Sequence, residues 1–224
     1  TAPALVILAA QQLHTAAGLL EMGRLLEERR VTLAYGGLVF NQSPYLRTII
    51  PGHFLGERID EAVPAVERIM QVPHVHASLE SVPTASLAAL RRFRELRSAI
   101  EADVRGAYRN DGLSPARVGE ANALLGSYIE AALALGSFHR SNADDTWLKN
   151  LPPLDRVLPD GKSAHYHRTY ILAALGRLGS EDRQFTGRLA ELAGLSPNLD
   201  VIGHTHELPK KVSRVKAIGR HRRS

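Results

Sequence analysis

The stretch LVILAAQQLHTAAGLLEMGRLLEERRVTLAYGG, Leu5–Gly37, decides the fold. Leu5–Ala10 is an uninterrupted apolar run, the pattern of a parallel strand buried on both faces. A helix is expected over Gln12–Arg29. Leu13, Ala16, Ala17, Leu20 and Leu26 form its apolar stripe, and Glu27, Glu28, Arg29 and Arg30 mark its exposed end. Val31–Tyr35 reads as a second strand that stops at Gly36-Gly37. Beyond it, Ser43-Pro44 has the order of an N-cap and first helical position. Pro51-Gly52 ends that short helix, and His53–Leu55 is a third, very short strand. Ile59–Met70 is a helix with Ile59, Val63, Val66 and Met70 on one side. Strands alternating with helices through short connections imply a parallel α/β sheet.

The character changes after Met70. Residues 72–84 contain prolines and histidines without a period and read as a linker. Residues 85–195 read as all-α. Ala85–Tyr108 carries Ala89, Phe93, Leu96, Ile100 and Val104 at helical spacing. Ala116–Leu135 carries Val118, Ala121, Leu125, Ile129 and Ala132. A short helix is expected at Thr146–Leu151, where Trp147 anchors it, and two more at Ser163–Leu178 and Glu181–Ala193. Asn122 and Tyr128 lie near the inward face and need buried partners. His14 sits among apolar neighbours and reads as a core or interface histidine. A strand is placed at Leu199–Ile202, and residues 196–224 form a basic tail expected to be disordered.

Of 224 residues, 44% are apolar and 23% charged, which excludes wholesale disorder and collagen-like repeats. No apolar run approaches the ~20 residues of a membrane span, and the N-terminus lacks the pattern of a signal peptide. There is no cysteine. That removes disulfides, thiolate catalysis and cysteine zinc sites, and suits a reducing cytoplasm. The net charge is +5, but His204–Ser224 holds seven basic residues against Glu207 alone, so the rest of the chain sums to −1. The basicity belongs to the tail, and the body does not read as a nucleic-acid binder.

Catalytic patterns are sparse. Neither Gly-x-Ser-x-Gly nor a Gly-x-x-x-x-Gly-Lys phosphate loop occurs. LDVIGHTH, Leu199–His206, ends an apolar run in two histidines at i and i+2, an arrangement similar to the last ligand motif of calcineurin-like metallophosphoesterases. The carboxylates and the Asn-His-Glu loop that such chemistry needs are missing, so a hydrolase using His204 and His206 is the lesser alternative. His165 and His167 stand two apart on a helix and point to different faces. His74 and His76 read as surface histidines.

The first seventy residues carry a resemblance. The run from Leu5 to Gly37, continued by LVFNQSPYLRTIIPGHFLG and ERIDEAVPAVERIM, resembles the second half of a cobalamin-binding Rossmann-like domain of the kind fused to MerR-type transcriptional regulators. The resemblance implies that Gly36 and Gly37 line the cofactor's nucleotide tail, where a Cβ would obstruct it. Ala9 and Ala10 fall where the family places a Ser/Thr loop, and alanine offers no hydroxyl. The family's Asp-x-His-x-x-Gly motif, which supplies a histidine to cobalt, is not found in this sequence. The helical stretch after Gly119 resembles, more weakly, an extension found in some of these regulators.

The expectation is therefore a partial Rossmann-like α/β sheet over residues 1–71 followed by a helical domain. It reads as the non-enzymatic C-terminal part of a cobalamin-responsive regulator truncated at its N-terminus. Cobalamin is its implied ligand, a homo-oligomer its implied assembly, and DNA is contacted through an absent N-terminal domain. The alternative is an interaction module that has lost cofactor binding.

Overall fold

Leu5–Ala9 form strand β1, Thr32–Gly36 form β2 and His53–Phe54 form β3. These observations come from a computed structural model that describes residues 3–71, 79–139, 151–159, 161–179 and 181–194. The strands are parallel in the order β1-β2-β3, with Leu5 opposite Thr32, Ala9 opposite Gly36 and Tyr35 opposite Phe54. Helix α1 (Leu13–Glu28) joins β1 to β2, and the short helices α2 (Leu38–Gln42) and α3 (Leu46–Ile49) lead to β3. Helix α4 (Ile59–Gln71) follows.

The period-2 alternation of the strands divides their side chains between two cores. Leu33 and Tyr35 belong to the large core that also holds Leu13, Ala16, Leu19 and Leu20 of α1. Ala34 turns the other way and meets Leu55 and Ala65 of α4 in a second, small cluster. The sheet therefore carries helices on both faces, as a parallel sheet requires.

Four longer helices complete the described chain: α5 (Thr84–Tyr108), α6 (Pro115–Ala134), α7 (Ser163–Leu178) and α8 (Arg183–Leu192). A 3₁₀ turn, Ser137–His139, follows α6. Ser114 caps α6 through its side chain, which accepts from the Arg117 N–H, and Pro115 stands first in the helix. Helix α5 packs against α6 and α7, and α6 also packs against α1. One buried cluster thus runs from Leu33 and Tyr35 through α1 and α6 to Phe93, Ile100, Tyr166 and Phe185. The Ser86 hydroxyl donates to the Leu133 carbonyl at 2.7 Å. The hydroxyls of Tyr45 and Ser137 are also bonded, and together these tie the sequence-distant parts.

Asn122 finds the buried partners expected of it. Its Nδ2 donates to the Glu101 carbonyl at 3.3 Å. The Tyr166 hydroxyl shares its proton between the Val118 carbonyl and Asn122 Oδ1, each at 2.9 Å. Arg97 binds Glu101 at 2.8 Å and Glu130 at 2.6 Å, joining α5 to α6.

Four expectations are corrected. His14 is exposed, because it lies outside the arc of α1 that Leu13, Ala16 and Leu20 bury. Ser43 does not cap a helix: α2 already occupies Leu38–Gln42, Tyr45 precedes α3, and the Ser43 hydroxyl is buried without a partner. The apolar side of α4 faces outward, with Ile59 90%, Val63 66% and Met70 59% exposed. Of the expected stripe only Val66 packs on the sheet, together with Ala62, Ala65 and Ile69. Glu80–Pro83 is not a free linker, since the Glu80 N–H donates to the Thr48 carbonyl at 2.9 Å and Val82 is buried. His74, His76, Trp147, the Leu199–Ile202 strand, His204, His206 and the 196–224 tail lie outside the described residues. Among the described residues, no helix is long and apolar enough to cross a membrane.

Burial has a consequence at high pH. It pushes the Tyr35 phenol up to about 12, against the lowering effect of Arg47. It also raises Tyr108, Tyr128, Tyr166 and Tyr170. An unfolded tyrosine ionises near about 10, so the native state holds these protons more tightly. The stabilisation is complete below that value and lost as pH rises through the native values. Urea midpoints recorded across the alkaline range are expected to fall as the absorbance of phenolate rises. A midpoint that holds steady while the phenols ionise would contradict this.

Candidate functional site

At their carboxyl ends, β1 and β2 carry small residues. Ala9 stands opposite Gly36, and the Ala10 N–H donates to the Gly36 carbonyl at 2.9 Å. Leu55 extends the pairing of β3, donating to the Tyr35 carbonyl at 2.8 Å. Ala9, Gly36 and Leu55 therefore follow one another across the sheet on the face that α4 covers. A Cβ placed on Gly36 would meet nothing closer than Leu55 Cβ at 4.0 Å. Ala9 is exposed and Ala10 fully buried. The face beside this row is uncovered: Ile7, one alternation back on β1, is 53% exposed.

The two glycines have different reasons. Gly37 has φ +120°, and a Cβ there would fall on the Ala10 carbonyl. Its need for glycine comes from the chain's own close approach, whereas the sequence-based expectation attributed it to a ligand. Gly36 has no such conflict, so its missing side chain leaves space rather than relieving a clash.

Side-chain hydrogen bonds join the loops at these strand ends. On one side the Leu38 N–H donates to Gln11 Oε1 at 3.3 Å. On the other, the Asn41 amide donates to the Glu57 carbonyl at 3.0 Å. Arg47 ties Phe40 and Asn41 to the loop before α4. Its Nε donates to the Phe40 carbonyl at 3.1 Å, and Nη2 to Asn41 Oδ1 at 3.3 Å and Glu57 Oε1 at 3.0 Å. Its guanidinium lies 4.1 Å from the centre of the Phe54 ring, within cation–π range. Phe54 in turn packs with Tyr35 and Phe40, ring centres 6.0 Å from each. The Glu61 carboxylate accepts from the Glu57 N–H at 2.9 Å at the start of α4.

Ala9, Ala10, Gly36 and Gly37 offer backbone and space but no titratable side chain. These residues supply no acid, base or nucleophile. Among the described residues, no three His, Asp or Glu side chains gather as a metal site. His165 and His167 diverge as their spacing predicts. His165 meets the edge of Tyr108, while His167 Nε2 is bonded to the Pro152 carbonyl at 3.1 Å. Burial lowers the pKa of His167, with that bond opposing.

Sequence reading missed two arrangements. One is Arg47, whose partners lie six to ten residues away in irregular loops. The other is His139, almost wholly buried, with Nε2 2.8 Å from Asp182 Oδ2. Asp182 also caps α8 by accepting from the Phe185 N–H at 3.0 Å. Asp182 at the start of a helical stretch was a visible cap signal, but nothing in the sequence paired it with His139.

No family model matches the chain, and neither a curated protein nor a solved structure matches it significantly.

Proposed function

We propose that this chain is the effector-sensing and assembly part of a cobalamin-responsive transcriptional regulator of MerR type, with the Ala9–Gly36 row receiving the nucleotide tail of the corrinoid. The observation that carries the reading is the row of small residues, exposed Ala9 beside Gly36, at the carboxyl end of a parallel sheet. Open α/β sheets bind ligands at that end. The residues fit such a group by size: nothing longer than a methyl rises from Ala9 or Gly36, and apolar Ile7 adjoins them.

The uncovered parts of the sheet support the same reading. Among the described residues β1 is an edge strand, although LVILA carries no charge or proline to protect an edge. The outward stripe of α4 and the exposed Ile7 suit further strands and a helix continuing the sheet beyond β1. Such a continuation would supply the cobalt-ligating histidine that this sequence lacks. Occupancy would shift an assembly equilibrium by the difference in affinity between assembled and free states. DNA contact would come from a separate domain.

The test is an absorbance titration of adenosylcobalamin and methylcobalamin into this chain and into a version extended upstream. The extended protein is expected to bind with a spectral change, and Gly36→Val to weaken that binding at least about tenfold by adding bulk to the row. The Gly36→Val melting temperature should stay within a degree or two of the parent, about the shift of a 0.5 kcal/mol change. Absence of binding in the extended protein would sink the proposal. It would leave the second reading, an interaction module without cofactor, which the missing hydroxyl at Ala9-Ala10 favours.

A further inference from the structure

We propose that the free edge of β1 is a self-assembly surface, on which a second copy of this chain lays its own β1 antiparallel to make one six-stranded sheet; the inference does not depend on the corrinoid reading. Along a strand, successive residues turn their N–H and C=O groups to opposite edges. The Ala10 N–H donates to the Gly36 carbonyl, so Val6, Leu8 and Ala10 turn theirs toward β2. Leu5, Ile7 and Ala9 turn theirs to the other edge, where no described strand pairs with β1.

That outward set is symmetric about Ile7. A twofold axis at Ile7 puts Ile7 opposite its copy, Leu5 opposite Ala9 and Ala9 opposite Leu5. All three become pairs in which the opposed residues exchange both N–H···O bonds, about six new backbone bonds in all. The edge thus matches itself without a change of register, as a contact between identical surfaces requires.

The side chains agree with the backbone. Leu5 belongs to the α4 cluster, and Ile7 and Ala9 follow it on the same face. On that face large Leu5 meets small Ala9, and the two Ile7 side chains, each 53% exposed alone, cover one another. On the other face Val6 meets Leu8, both already packed on the large core. LVILA holds no charge, so no like charges oppose each other across the new pair. A pair of five-residue strands is small for a stable interface. The axis, however, puts both α4 helices on one face of the joined sheet, where exposed Ile59, Val63 and Met70 add apolar surface. Of the nine large apolar residues that stand exposed among those described, all but Leu87 and Leu124 lie in this sheet-bearing half.

The test follows the molar mass of the full chain by sedimentation up to about 1 mM, with amide hydrogen exchange at each concentration. The mass is expected to double. As it does, the amides of Leu5, Ile7 and Ala9 should slow at least about tenfold, while those of Leu8 and Ala10 are protected at every concentration by β2. Ile7→Lys brings two ammonium groups together at the axis and should weaken association at least about tenfold, with Ala10 still protected because the strand remains formed. Met22→Lys, the same charge at an exposed apolar position of α1, should leave association unchanged.

A chain that stays monomeric throughout would overturn the proposal. So would a doubled mass without slower exchange at Leu5, Ile7 and Ala9, which would put the contact on another face. Protection of those three amides in a monomer would mean that the chain itself covers the edge, and would overturn it equally. Equal weakening by Ile7→Lys and Met22→Lys would overturn the axis at Ile7. None of these outcomes bears on the corrinoid titration.

Discussion

Gly37→Ala is expected to cost the fold about 3 kcal/mol or more and to do so without any ligand present. Two penalties combine. The backbone at φ +120° is a conformation that side-chain-bearing residues rarely adopt. The added Cβ would also land on the Ala10 backbone, which is part of the β1–α1 turn. Ala10 is fully buried and bonded to Gly36, so it cannot retreat without opening the sheet end. Urea unfolding followed by circular dichroism measures the loss. The adjacent Gly36→Val provides the contrast, since Gly36 has no positive φ and a Cβ there would make only an ordinary contact with Leu55 Cβ at 4.0 Å. If both variants unfolded at the parent's midpoint, the turn would not have the close approach described. If both were equally destabilised, Gly36 would be as closely packed as Gly37.

Phe138→Ala is expected to cost about 3–5 kcal/mol, the usual range for emptying a fully buried phenylalanine site. Phe138 is 0% exposed and meets Phe185 edge-on, ring centres 4.8 Å apart. It sits in the 3₁₀ turn beside Ser137, which is bonded to Tyr45 from the sheet-bearing half. The informative part is how the loss spreads. The buried cluster is continuous from Tyr35 to Phe185, so the variant should melt in one transition at a lower temperature. Methyl signals of Leu33 and Leu189 are expected to disappear at the same urea concentration. If Leu33 kept its native signal after Leu189 had lost its own, the shared core would not couple the two parts.

Much of the fold was legible in the sequence because its elements obey simple periods. The run Leu5–Ala10 reads as a strand from its unbroken apolar character, and it is one, but the burial expected on both faces is not found, since Ile7 and Ala9 are exposed. The long helices kept strict apolar spacing, so Phe93, Ile100, Leu125 and Ile129 fell inside as read. Failures came where tertiary contacts override local pattern. The α4 stripe was visible as a 3.6-residue repeat, but periodicity cannot say whether a partner is present to cover it. Alanine residues on its flank allow closer approach to the sheet, and they took the inward position. Ser43-Pro44 has the order of a cap, yet α2 and the burial of Ser43 gave that segment another use.

The candidate site was legible in part, as two glycines after a strand. Which of them closes the turn and which leaves space required coordinates. The difference lies in the approach of Ala10, a residue 27 positions earlier in the chain. Arg47 and the His139–Asp182 pair were hidden for a related reason. Their partners are brought together by loops, and no spacing rule describes those.

The open edge of β1 also bears on how the isolated chain behaves as a material. Among the described residues, β1 pairs only with β2, and its other edge, LVILA, has no lysine or proline and has Ile7 half exposed beside it. Such an edge templates strand addition from any neighbouring molecule, whatever its biological partner. Concentrated stocks should therefore coarsen with time, starting from dimers zipped along β1 and ending in sheet-rich aggregates. A single lysine at Ile7 would interrupt that growth at its first step, leave the opposite face of the strand in its core, and make the chain tractable at the concentrations that spectroscopy demands.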